Sequence, residues 1–140
     1  MNKVKFLMSL VLLFIMAGLS SCNNDDPKPS KTELISRTWM LSGVKMAGQD
    51  VFEFWEECEK DNLYIFSKDG EFTIDEGAIR CESNSPQTLV GLWSLTGDSK
   101  IIFSDNFDLE PQDILALSKT TLRVSYTYDG VLFELNFTTQ

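Results

Sequence analysis

No histidine occurs in the chain. Without an imidazole there is no His general base, no His-activated thiol and none of the usual His-containing zinc sites. Basic residues are also scarce: 12 Lys and Arg stand against 21 Asp and Glu, a net charge of −9. A surface of that sign argues against nucleic acid and against adsorption to anionic membranes. Phe6 to Leu19, broken only by Ser9 and Gly18, is an apolar run of 14 residues, short of the roughly 20 that span a bilayer. Cysteine occurs three times, at positions 22, 58 and 81.

What is present at the N-terminus reads as an export signal. Lys3 and Lys5 precede the apolar run, and Leu19-Ser20-Ser21-Cys22 closes it. A charged start followed by a short apolar core is the pattern of a signal peptide, and Leu-Ser-Ser-Cys resembles a bacterial lipobox. That resemblance implies that residues 1–21 are a lipoprotein signal peptide, removed on export, and that Cys22 becomes a lipidated N-terminus. The alternatives are an ordinary signal peptide followed by a cysteine, or a signal anchor. Loss of Lys3 and Lys5 takes the net charge to −11. Residues 22–33 then form the lipidated cysteine and a tether; Asn23 to Thr32 reads NNDDPKPSKT and has no apolar residue. Such a composition cannot bury a core and is expected to be extended and flexible. Asp25-Asp26 resembles the acidic export signal of surface lipoproteins in the Bacteroides group, which implies an outer-membrane lipoprotein displayed at the cell surface; a solvated tether facing the periplasm is the alternative.

Residues 34–140 have the length of one small domain. With Cys22 assigned to lipid, Cys58 and Cys81 remain. An even pair in an exported chain favours a disulfide; two separate buried thiols are the alternative. Thr32 to Ile35 is expected to form a short helical turn capped by Ser30 or Thr32. Strand signals follow at Trp39–Val44, Leu63–Ser67, Glu71–Ile74, Gly91–Leu95, Lys100–Phe103 and Asp113–Leu117. The clearest hairpin is the last. Leu122, Val124, Tyr126 and Tyr128 alternate with polar residues, Asp129-Gly130 supplies the residues of a type I′ turn, and Val131, Phe133, Leu135 and Phe137 resume the apolar face. About eight short strands joined by tight turns predict an all-β domain, a small antiparallel up-and-down β-barrel; a flattened two-sheet sandwich is the alternative. Met46–Asn62 and Gly77–Thr88 interrupt the regular spacing, and a Cys58–Cys81 bridge would tie them together.

Trp39-Met40-Leu41, Cys58 with Asp61, Phe66 with Asp69-Gly70, Cys81, Gly91-Leu92-Trp93-Ser94-Leu95 and Tyr126-Thr127-Tyr128-Asp129-Gly130 follow one another in this order. Together they resemble the lipocalin-like domain of many Bacteroides-group lipoproteins, over roughly residues 34–138. The resemblance implies a small β-barrel and a small hydrophobic ligand, with no established activity. The chain differs from true lipocalins in its first strand, where Arg37 rather than glycine stands two residues before Trp39.

An eight-stranded barrel is either filled by its own side chains or just wide enough for one small ligand. Trp39, Phe66, Phe72, Trp93, Phe103, Tyr126, Phe133 and Phe137 all point to the apolar face, and both outcomes are open on sequence. The binding reading takes Trp39, Trp93, Tyr126 and Phe133 as lining, with Phe54 and Trp55 in a lid; Phe52 and Trp55 closing one barrel end as core is the alternative. The rival function is a pocketless module that docks a protein partner through the same loop. Glu53, Glu56, Glu57, Glu59 and Asp61 match no calcium-loop spacing, so no metal is assigned. Nothing implies a cofactor or a catalytic group, and the expectation is a protein that is not an enzyme.

Overall fold

Period-two alternation gives each segment one face for a core and one for water. The tight turns between segments bring the chain back antiparallel to itself. The computed structural model describes residues 27–140; the signal peptide, Cys22 and the tether as far as Asp26 lie outside the described residues. Helix α1 (Lys31–Ile35) comes first. Ser30 caps it, its side chain accepting from the Glu33 N–H while the Glu33 carboxylate accepts from the Ser30 N–H, a capping box that satisfies two otherwise unpaired donors. The helix begins within the expected tether, so the segment that packs on the domain starts ahead of residue 34.

The strands are β1 (Thr38–Met46), β2 (Gln49–Asp50), β3 (Leu63–Phe66), β4 (Glu71–Asp75), β5 (Thr88–Thr96), β6 (Lys100–Ser104), β7 (Gln112–Leu117), β8 (Thr121–Tyr128) and β9 (Val131–Thr139). They form one antiparallel sheet in the order β2-β1-β3-β4-β5-β6-β7-β8-β9, and β9 returns to pair with β1. The two-residue β2 pairs with the end of β1, which leaves eight strands in the closed ring. This is the up-and-down barrel that the alternation and the lipocalin-like resemblance implied, and its closure removes the free edges of the ring. Asp129 and Gly130 take φ values of 49° and 77°, as a type I′ turn requires. Between β1 and β2, Ala47 and Gly48 do the same at 49° and 82°.

One pole of the barrel is closed. Ile35 of α1 and Trp39 of β1 are fully buried, and the Trp39 indole N–H donates to the Ile35 carbonyl at 2.8 Å. Trp93 of β5 is also buried, its indole N–H donating to the Ser67 carbonyl at 3.0 Å. Contacts from Lys31 to the Asp98 carbonyl and from Lys68 to Glu33 at 3.9 Å hold α1 against the β3–β4 and β5–β6 turns. Above this plug the Phe66 ring packs on Phe72 at 4.6 Å and on Trp93 at 5.3 Å.

The opposite pole carries the long connections. The β1–β3 connection contains a 3-10 turn (Phe52–Phe54) and helix α2 (Glu57–Lys60). A Cys58–Cys81 disulfide, with Cα atoms 5.1 Å apart, joins it to the β4–β5 connection. The Asp61 carboxylate reinforces that junction by accepting from the Ala78 and Ile79 N–H groups at 2.8 and 2.9 Å. Strands β6 and β7 meet only at Lys100–Asp113 and Ile101–Gln112, and the chain between them leaves the wall. Its Phe107 turns back into the core, 4.9 Å from the Phe72 ring, and its Asn106 side chain donates to the Val90 carbonyl at 2.6 Å.

Candidate functional site

At the pole of the long connections the barrel opens into a cavity of about 370 Å³. Its deep lining is apolar and buried: Leu41, Phe66, Phe72, Phe103, Leu122 and Phe137. These residues come from β1, β3, β4, β6, β8 and β9, so the floor exists only once the ring has closed. The half-buried middle holds Tyr64, Ile74, Tyr126 and Leu135. Trp55, Glu59, Asp108, Leu109, Glu110, Gln112 and Tyr128 form the mouth. Large side chains therefore do not fill the interior; they are concentrated toward the α1 pole and leave the other end hollow.

The middle layer carries the few polar groups that an apolar site uses to orient a ligand. Tyr64 sits on β3 with its ring edge-on to Phe137, at 5.1 Å and 68°. Burial pushes its hydroxyl up to about 12, so it stays a neutral hydrogen-bonding group at ordinary pH. Tyr126 on β8 is also raised by burial. Its ring stacks on Phe133 at 5.2 Å and 9°, since the two residues face each other across the β8–β9 pair.

Of the residues singled out in the sequence, Tyr126 and Trp55 line the cavity. Trp39 and Trp93 do not. Both are inward-facing as expected, but they lie in the closed pole, where backbone carbonyls accept their indole N–H groups. Phe133 backs Tyr126 instead of lining the space. Phe54 is 82% exposed and does not line the cavity, whereas Phe52 and Trp55 both pack against the core, as the alternative reading of this segment expected, with Trp55 also bordering the cavity. Tyr64 was not singled out, because Leu63-Tyr64-Ile65-Phe66 is apolar throughout and shows no alternation. Asp108, Leu109 and Glu110 were missed because their loop carries no periodic pattern.

Among the described residues no group of three or more His, Cys, Asp or Glu is arranged to hold a metal ion. Of the carboxylates near the β1–β3 connection, Asp61 is engaged by backbone N–H groups and Glu57 by Lys60 at 2.7 Å. Cys22, the expected lipidation site, lies outside the described residues.

No protein-family model and no curated protein matches the chain. Among solved structures it is similar to a lipocalin-like protein from Bacteroides uniformis, with 21% identity and a TM-score of 0.49 over 76% of this chain and 98% of that one.

Proposed function

We propose that the protein is a non-catalytic binding module that holds one small apolar or amphipathic molecule in the open pole of its barrel. The observation that carries this reading is the cavity. Its volume of about 370 Å³ lies within the roughly 300–1,000 Å³ of known ligand sites, and an apolar floor beneath a few polar groups is their usual composition. The lipobox-like Leu19-Ser20-Ser21-Cys22 supports export and a lipid anchor on Cys22, and Asp25-Asp26 supports an outer-membrane location with display at the surface. Two or more acyl chains suffice for stable anchoring.

Residues 23–140 contain every strand of the ring and the whole of its buried core. Native mass spectrometry of this chain, recovered from the periplasm, is expected to show a co-purified apolar molecule that is released on denaturation. A bare polypeptide mass that stays unchanged after incubation with lipid extract would overturn the reading.

Phe54 favours a second reading. An aromatic ring 82% exposed on a disulfide-tied loop suits contact with a protein partner. Crosslinking on cells that express Phe54→Ala tests it: the partner band should vanish, and its persistence would count against the loop.

A further inference from the structure

The mouth of the cavity has a single sign of charge. Glu59, Asp108 and Glu110 lie on it, and neither Lys nor Arg is among the lining residues. Lys60, next to Glu59 in the chain, is engaged by Glu57 at 2.7 Å and sits over the Phe52 ring at 5.5 Å. Trp55, Tyr126 and Tyr128 share the lining with the carboxylates. Aromatic faces attract cations through the ring quadrupole, and carboxylates attract them through their charge. An anionic headgroup placed here meets three carboxylates and, among the described lining residues, no Lys or Arg. We infer that the cavity selects cationic amphiphiles: molecules with one amine or quaternary ammonium head at the mouth and an apolar body against Phe72 and Phe137. This rests on the binding reading above and specifies its ligand class.

The test uses three probes with the same tail, octyltrimethylammonium, octanol and octanoate, titrated calorimetrically into residues 23–140. The ammonium is expected to bind about tenfold more tightly than octanoate, the scale of screened charge and cation–π attraction at a partly open site, with octanol between them. A Glu59→Gln, Asp108→Asn, Glu110→Gln variant should remove the preference. An Asp69→Asn, Glu71→Gln, Asp98→Asn variant makes the same change in net charge at the closed pole, in two turns and at the start of β4, and should keep it. Equal binding of the three probes, preference for octanoate, or loss of the preference in the closed-pole variant would overturn the charge selection while octanol binding upholds the cavity reading. No binding of any probe, octanol included, would overturn both.

Discussion

Phe107 occupies the space that a side chain on Gly91 would need. A Cβ at position 91 would lie 2.6 Å from the Phe107 ring and 2.8 Å from the Ser104 carbonyl oxygen. A β5 residue without a side chain thus lets the β6–β7 connection fold an aromatic ring into the barrel wall. Gly91→Ala is therefore expected to destabilise the protein by about 1–3 kcal/mol, the usual cost of overpacking. Phe107→Ala leaves a void against Phe72 and should cost about 3–5 kcal/mol. Urea denaturation of both variants measures this; Gly91→Ala at wild-type stability would mean that the ring moves aside freely.

The Cys58–Cys81 bridge closes a loop with a sequence separation of 23. Replacing both cysteines by alanine should lower stability by about 3 kcal/mol, mainly by freeing the unfolded chain. The barrel ladders do not run through the bridge, so the far-ultraviolet circular dichroism of the variant should match wild type below its transition.

Tyr64 makes stability depend on alkaline pH. Its hydroxyl is raised by burial to about 12 in the folded protein, against roughly 10 in an unfolded chain. The unfolded state loses the proton first, so the contribution is complete below about pH 10 and is lost as pH rises toward and through 12, by at most ~3 kcal/mol. Denaturant midpoints measured across that window should fall more steeply for wild type than for Tyr64→Phe; parallel curves would show that the hydroxyl ionises normally.

Filling the cavity should block it. Leu135 lies in its middle layer, and Leu135→Trp directs an indole into empty space instead of packed core. Binding of an apolar probe such as octanol is expected to weaken about tenfold or more with a smaller stability cost than overpacking usually exacts. Unchanged affinity, read by the same calorimetry, would place the probe elsewhere.

Strand order and facing were legible because they are local. Tyr126, Tyr128, Val131 and Phe133 alternate around Asp129-Gly130, and that turn chemistry fixes their register without help from the rest of the chain. Depth along the barrel was not legible. Alternation places Trp39 and Trp93 inside but does not say which pole they serve; that depends on how the capped turn at Thr32–Ile35 folds back over Trp39 and on the Ser67 carbonyl, which lies 26 residues from Trp93. Ala47 at positive φ has no local preference to announce it, so the first hairpin was hidden. The Gly91–Phe107 pairing is a tertiary relation between a strand and an irregular loop, and neither partner alone discloses it.

Helix α1 and the cavity mouth lie at opposite poles, and this arrangement sets a direction. The tether runs into the barrel through Ser30 and α1, against the turns that contain Lys68 and Asp98, whereas Trp55, Glu110 and Tyr128 surround the opening at the far end. Under the proposed anchoring at Cys22, the chain enters the barrel at its closed base, so the opening lies at the pole farthest from the point of attachment. Loading and release would then take place at the end of the barrel that the tether does not approach.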